Sequence, residues 1–131
     1  MQSVMDEGSV YQYSDYASMH MLEVANRHAN LLGFCHPALL RLSEHDERHG
    51  GELMDTLYCY LQVSGTTKHA ADLLCLHKNT LLYRMNRIRE ILGCDLTSGE
   101  DQFVLQLSFR VLMYLGLFQP RFTTNREQLR G

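Results

Sequence analysis

Residues 78–92 place polar and cationic side chains opposite an apolar face when they are arranged as a helix. At about 100° per residue, the apolar face collects Leu81, Met85, Ile88 and Leu92. The opposite side offers amides, hydroxyls and cations, which are the groups that hydrogen-bond to base edges and pair with phosphates in a DNA major groove. The residues predicted to read bases are Lys78, Asn79, Thr80, Tyr83 and Arg87.

A shorter helix and a tight turn precede this polar face. Residues 67–74 have the pattern of a short helix and Cys75–His77 that of a turn, so residues 66–92 are predicted to form a helix-turn-helix. Ala71 supplies the small side chain needed where the two helices cross, and Leu74 and Leu76 fill the turn. The start of the first helix also offers backbone N–H groups to a phosphate. The predicted phosphate contacts are Thr66, Thr67, Lys68, His77 and Arg84.

Positive charge is concentrated in the same segment. The whole chain has 12 Lys and Arg and 15 Asp and Glu, a formal charge of −3, which argues against general binding of polyanions. Residues 66–92 contain five Lys and Arg against two Asp and Glu, so this segment carries +3 and the remainder carries −6. This distribution favours a local site for DNA.

Other interpretations stay open for parts of the segment. Thr80 is equally well explained as an exposed residue of the helix surface, and Tyr83 as a ring packed against a neighbouring helix. Cys75 fits a redox switch or, as we favour, a small side chain packed into the turn. The alternative for the whole motif is a helical module for dimerisation or protein association without DNA contact.

Two further chemistries are considered and set aside. His45 and His49 have the four-residue spacing of zinc ligands on a helix, but their charged, glycine-flanked context predicts a loop over residues 43–51 and no third ligand is evident. The sequence also has no glycine-rich phosphate loop, nucleophile elbow or paired acid and base. We therefore expect no metal, no cofactor and no enzymatic activity.

The periodicity predicts an all-α fold of about six helices. A helical domain over residues 16–118 follows an N-terminal arm, residues 1–15, and precedes a polar tail, residues 119–131. Within the arm, Val10–Tyr13 alternate in the manner of a lone strand. The helices predicted outside the motif cover residues 16–32, 37–42, 52–63 and 100–118.

The last predicted helix is apolar on most of its circumference. A helix of this kind must be covered on most sides, either by the rest of its own domain or by another chain. We interpret it as a central core helix that lies across the back of the helix-turn-helix, in preference to a helix that forms a dimer.

The residues from Leu76 to Ile88, followed by Leu92 to Leu96, resemble the C-terminal helix-turn-helix of PucR-type regulators, a group that includes the sugar-diacid regulators. The signature of that family is His-Arg-Asn-Thr-Leu, one residue, then Tyr-Arg-Leu. This chain has Lys78 in place of the first Arg and Met85 in place of the last Leu. Thr66 stands where the family commonly has an Asn that caps the helix.

The resemblance implies that the chain is the DNA-binding output domain of a larger bacterial transcription regulator. Its relatives carry N-terminal domains that sense a ligand, so a small-molecule effector would be sensed by a domain that these residues do not include. Residues 13–16 resemble the end of such a regulatory domain. The expected partner is an operator in double-stranded DNA, bound by a homodimer.

Cysteine spacing and hydropathy predict the compartment. The four cysteines are widely spaced without a C-x-x-C pair, which is typical of reduced thiols in a cytosol. The sequence shows neither a stretch long enough to span a bilayer nor the basic and apolar parts of a signal peptide. A soluble, cytoplasmic protein that makes no membrane contact is therefore expected.

Overall fold

A computed structural model describes residues 10–63, 66–94 and 96–121, with side chains described from residue 16 onward. In these residues the chain is helical and has no strand, so the predicted all-α fold is confirmed. A short 3-10 helix, Leu31–Phe34, lies between the first two α-helices. The described residues contain six α-helices, which are α1 (Val10–Asn26), α2 (Pro37–His49), α3 (Leu53–Gln62), α4 (Thr67–Leu74), α5 (Lys78–Leu92) and α6 (Gly99–Tyr114).

The centre of the fold is α3 rather than the last helix. Every residue from Leu53 to Leu61 is buried, because α3 packs against α2, α4, α5 and α6. The last helix, α6, packs against α1, the 3-10 helix and α3. It is connected to the helix-turn-helix mainly by α3, which packs against both. Its Phe103 side chain is 64% exposed. The prediction that the last helix is the central one is therefore wrong, since apolar residues on all sides of a helix do not ensure that all sides are covered.

The first helix differs from its predicted extent at both ends. It begins at Val10, so the strand considered for residues 10–13 is wrong. It ends at Asn26, well before the predicted end at residue 32. After a turn, the side-chain Oδ1 of Asn30 accepts a hydrogen bond from the backbone N–H of Leu32 at 3.2 Å and begins the 3-10 helix. Asn side chains compete in this way with the hydrogen bonds of a continuing helix.

The segment predicted to be a loop, residues 43–51, is helical as far as His49. Helix α2 ends at Gly50, whose φ of 63° is left-handed and whose N–H donates to the carbonyl of Asp46 at 2.8 Å. The Asp46 carboxylate in turn accepts hydrogen bonds from the backbone N–H groups of Leu53 at 3.1 Å and Met54 at 2.8 Å. One acidic side chain thus caps the start of α3 from the preceding helix.

Aromatic rings attach the residues after α6 to the core. The chain leaves α6 at Leu115, turns at Gly116 with φ of 75°, and brings Phe118 against Tyr58 and Phe109. The ring centroids of Phe118 and Phe109 are 5.2 Å apart. Further along, the backbone N–H of Arg121 donates to the buried carboxylate of Asp55 at 2.9 Å.

Parts of the predicted arm and tail fall on residues 1–9 and 122–131, which lie outside the described residues. The domain boundaries proposed for the arm and the tail therefore stay predictions. In the part of the chain that the structure describes, no helix combines the length and the apolar character needed to cross a bilayer.

Candidate nucleic-acid interface

The helix-turn-helix has the bounds that the sequence predicts. Helix α4 spans Thr67–Leu74, and after a three-residue turn α5 spans Lys78–Leu92. Ala70 and Ala71 of α4 are buried where α4 crosses its neighbours. The fully buried thiol of Cys59 in α3 lies 3.9 Å from the carbonyl of Ala70, and burial raises the pKa of this thiol to about 12. Cys59 therefore stays protonated and packs as a small apolar side chain.

The turn between α4 and α5 depends on a left-handed residue. Cys75 has φ of 57° and ψ of 43°, and its backbone N–H donates to the carbonyl of Asp72 at 3.2 Å. The Cys75 side chain is exposed, so the interpretation of this residue as packed into the turn is wrong. Leu74 and Leu76 occupy the apolar side of the turn instead, where both are partly buried against the core.

Helix α5 has two contrasting faces. Leu81, Met85 and Ile88 are fully buried, and Leu92 is nearly so, which confirms the predicted apolar face. The Tyr83 ring is 71% exposed, so the alternative that it packs against a neighbouring helix is wrong. All the residues predicted to read bases are exposed on the side of α5 away from the core: Lys78, Asn79, Thr80, Tyr83 and Arg87.

His77 organises the first turn of α5. It precedes the helix with extended backbone, and its ring Nδ1 accepts a hydrogen bond from the backbone N–H of Asn79 at 3.0 Å. A neutral imidazole that accepts at Nδ1 carries its proton on Nε2. Because the side chain is exposed, this Nε2–H can donate to a group outside the protein, as the predicted phosphate contact requires.

The start of α4 is open to solvent. Thr66 and Lys68 are exposed and Thr67 is partly exposed. Thr66 occupies the capping position of α4, where the resemblance leads us to expect an Asn. The Thr66 side chain makes no cap hydrogen bond. The N–H groups of the first helical turn and the positive end of the helix dipole favour an anion at this position.

Arg84 differs from the other predicted phosphate contacts in its hydrogen-bond partner within the protein. Its side chain is partly buried, and its guanidinium donates a hydrogen bond to the Oγ1 atom of Thr56 in α3 at 3.1 Å. Thr56 is fully buried, and its hydroxyl donates to the carbonyl of Glu52 at 2.8 Å. Arg84 is therefore joined to the central helix of the fold.

Arg87 connects α5 with α2. Its guanidinium pairs with Glu90 at 3.0 Å and lies 3.4 Å from the Nε2 atom of His45. The His45 ring is also next to His49, with ring centroids 4.4 Å apart. The place of His45 at this surface could not be predicted from the sequence, because a contact across 42 residues leaves no local signal.

The sequence argues against a zinc site at His45 and His49 for two reasons, a predicted loop and the lack of an evident third ligand. The first reason is wrong, since both residues lie on α2. Over the described ranges, however, the structure brings no three His, Cys, Asp or Glu side chains together in a group that could hold a metal ion. The Arg87 guanidinium of α5 lies 3.4 Å from the Nε2 atom of His45, and this cation would repel a metal ion at this position.

Comparison with known proteins finds a domain family that matches the region containing the motif. Residues 53–111 match the PucR C-terminal helix-turn-helix domain, and they cover α3, the motif and most of α6. The resemblance found in the sequence is thereby confirmed. No solved structure matches the chain.

Several bacterial regulators are similar to this chain. It is 31% identical over 106 residues to the proline-responsive transcriptional activator PutR of Bacillus subtilis, an alignment that covers 81% of this chain and 26% of that protein. It is 26% identical over 102 residues to the DNA-binding transcriptional activator AdeR of the same organism, with 78% and 24% covered. The purine catabolism regulatory protein of B. subtilis is 30% identical over 82 residues, with 63% and 15% covered. The chain spans about a quarter of the length of the first two relatives.

Proposed function

We propose that the chain binds double-stranded DNA as the output domain of a transcription regulator, a proposal supported by the match of residues 53–111 to the PucR C-terminal helix-turn-helix domain. The observation that supports the proposal most is the contrast between the buried and the exposed face of α5. Three fully buried apolar residues fix one side of α5 to the core, while the opposite side presents exposed amide, hydroxyl and cationic groups. Such a surface suits a helix that enters the major groove.

The N-terminal turn of α5 is the part that reads bases in this proposal. Lys78 can donate to the O6 and N7 atoms of a guanine, and Asn79 can pair in a bidentate manner with an adenine. Both side chains are exposed, as are Thr80 and Tyr83 behind them. His77 keeps this first turn in place through its hydrogen bond to the backbone of Asn79.

Phosphate contacts would fix the position of the motif on the duplex. The start of α4, with Thr66, Thr67 and Lys68, would face one phosphate, and the Nε2–H group of His77 would face another. In the free protein Arg87 is held by Glu90 and His45 at the edge of this surface. It would have to exchange these partners for DNA in order to contact a base.

The proposal extends to the assembly and its control. A homodimer on a two-fold operator would double the contacts that one motif can make. An effector would be sensed by another part of a longer regulator, because the relatives are about four times as long as the matching region. A cytoplasmic location, where bacterial DNA lies, belongs to the same proposal. Several of the relatives are named as transcriptional activators or regulators, and catalysis forms no part of this proposal.

Duplex binding measured by fluorescence anisotropy over a range of salt concentrations tests the proposal. The probes are a mixed-sequence duplex and a duplex selected by the protein from a randomised library. We expect the affinity for both duplexes to fall as salt rises, because Lys and Arg release counterions from the phosphates. The absence of salt-dependent binding to either duplex, even at low ionic strength, would favour the module for protein association.

Three variants locate the surface. Lys78→Ala and Arg87→Ala should weaken binding, whereas Arg27→Ala should not, because Arg27 is an exposed arginine directly after α1 and outside the motif. If Lys78 reads a base, its loss should lower the preference for the selected duplex about five- to a hundredfold. Equal effects of all three substitutions would show that binding follows total charge and not this surface.

A further inference from the structure

The contact between Arg84 and Thr56 is a hydrogen bond, unlike the apolar contacts that form the buried face of α5. The guanidinium of Arg84 donates to Thr56 Oγ1 at 3.1 Å, and the Thr56 hydroxyl donates its own proton to the carbonyl of Glu52 at 2.8 Å. A hydroxyl has one proton to donate, so its lone pairs remain to accept from Arg84. The hydrogen bonds therefore run in one direction, from α5 through a fully buried side chain to Glu52, the residue that precedes α3.

Apolar packing alone leaves a helix some freedom to rotate about its own axis. The buried face of α5 consists of Leu81, Met85 and Ile88, whose dispersion contacts have no strong directional preference. A hydrogen bond from a charged donor, in contrast, weakens steeply when its angle changes. Arg84 supplies this directional contact next to Tyr83 and one turn after Thr80.

The rotation of α5 matters because bases are read at the ends of side chains. With a helix radius of about 5–6 Å including side chains, a rotation of roughly 10° moves a groove-facing atom by about 1 Å. Hydrogen bonds to base edges tolerate a range of only about 0.5 Å in length. Contacts to phosphates depend less on angle and carry no sequence information.

We propose that Arg84 is a positioning residue for base readout, which acts through Thr56 to fix the rotation of the recognition helix α5. This inference rests on the proposed DNA binding and deepens it, and it replaces the phosphate contact predicted for Arg84. Arg84 controls which sequence α5 prefers, and it contributes little to the attraction between the protein and DNA of any sequence.

Two substitutions at opposite ends of the hydrogen bond test the proposal. Thr56→Val removes the acceptor with little change of shape, and Arg84→Met removes the donor. Each variant of the full chain is titrated with the library-selected duplex and with the mixed-sequence duplex over a range of salt concentrations. For both variants we expect the ratio of the two affinities to fall about tenfold, which is the size of the effect of a mismatched base pair. The salt dependence should stay that of the unaltered chain.

A direct phosphate contact gives the opposite pattern. In that case Arg84→Met would weaken binding to both duplexes alike and reduce the salt slope by about one, while Thr56→Val would change neither. That result overturns the proposal. If the two substitutions act on one hydrogen bond, the double variant should also show no greater loss of preference than either single variant.

Controls separate a positioning role from a loss of folding. Thr56→Ser keeps the hydroxyl and should restore the preference that Thr56→Val loses, provided that helix content by circular dichroism is the same in each variant. Failure of Thr56→Ser to restore it contradicts the proposal. If the unaltered chain binds neither duplex, the proposed function itself fails. If the unaltered chain prefers its selected duplex and both Thr56→Val and Arg84→Met keep that preference, only the positioning role fails.

Discussion

Helices α3 and α5 lie in contact, yet the surroundings of their side chains differ. In α3 the residues from Leu53 to Leu61 are all buried, including the polar Asp55 and Thr56. In α5 burial is confined to one face, and Tyr83 on the other face is largely exposed. The difference indicates a division of roles, in which α3 determines where α5 lies and α5 presents the groups that a partner can contact. Stability should therefore depend on α3 and on the buried face of α5, and binding on the exposed face of α5.

The largest expected effect is the difference in stability between replacing a leucine of α3 and replacing a leucine of α5. Leu57→Ala in α3 removes a fully buried side chain and should lower the free energy of unfolding by about 2–5 kcal/mol. Leu82→Ala in α5 changes a side chain that is 38% exposed, and it should alter stability by less than about 0.5 kcal/mol. Urea denaturation of both variants makes the comparison. Equal losses would show that the exposed face of α5 contributes to stability as much as α3 does.

An effect of intermediate size is expected in the turn before α5. Among the described residues other than glycine, only Cys75 adopts a positive φ. Cys75→Gly removes the steric cost of that conformation and should raise the free energy of unfolding by about 0.5–1 kcal/mol. Cys75→Ala keeps a Cβ atom and serves as the control, with little change expected. If glycine and alanine have the same effect, the left-handed turn stores no strain.

The smallest effect concerns the buried carboxylate at the start of α3. Burial raises the pKa of Asp55 above its ordinary value, against the opposing effect of Arg121. The folded chain thus binds this proton more tightly than the unfolded chain, so the contribution of Asp55 to stability increases as the pH falls through its folded pKa.

The comparison with Asp55→Asn, which cannot titrate, isolates this contribution. As the pH falls from neutral towards about 4, the ordinary value for an aspartate, the unaltered chain should gain stability relative to the variant. Urea denaturation at several pH values measures the difference. If the unaltered chain instead loses stability relative to Asp55→Asn, the pairing with Arg121 dominates over burial.

The same two helices show what sequence patterns can predict. The bounds and the buried face of α5 follow from local periodicity, because residues three and four apart share a face of the helix. The burial of α3 does not follow from its sequence. Asp55 and Thr56 are polar, and the groups that make their burial tolerable are Arg121 and Arg84, which lie 66 and 28 residues away. Distant partners of this kind leave no periodic signal.

The error over residues 43–49 has a similar cause. These residues are charged, and in the structure many of them form the exposed side of α2, with Arg48 and Glu44 paired at 3.4 Å. The Asp46 side chain caps α3 seven and eight residues further along the chain, which no capping pattern within a single helix indicates. For the interface, exposure of the predicted base-reading residues followed from the pattern, whereas the contacts of Arg84 and Arg87 with other helices did not.

Mapping the surface that DNA contacts tests the central claim most directly. The ¹⁵N-labelled chain is titrated with its selected duplex at low salt, and changes in the backbone amide signals are assigned to residues. We predict changes at residues 66–68, at His77 and along the exposed face of α5 from Lys78 to Arg87, with little change in α1 or α6. Changes centred on α1 and the exposed Phe103 of α6, with α5 unaffected, would contradict the account.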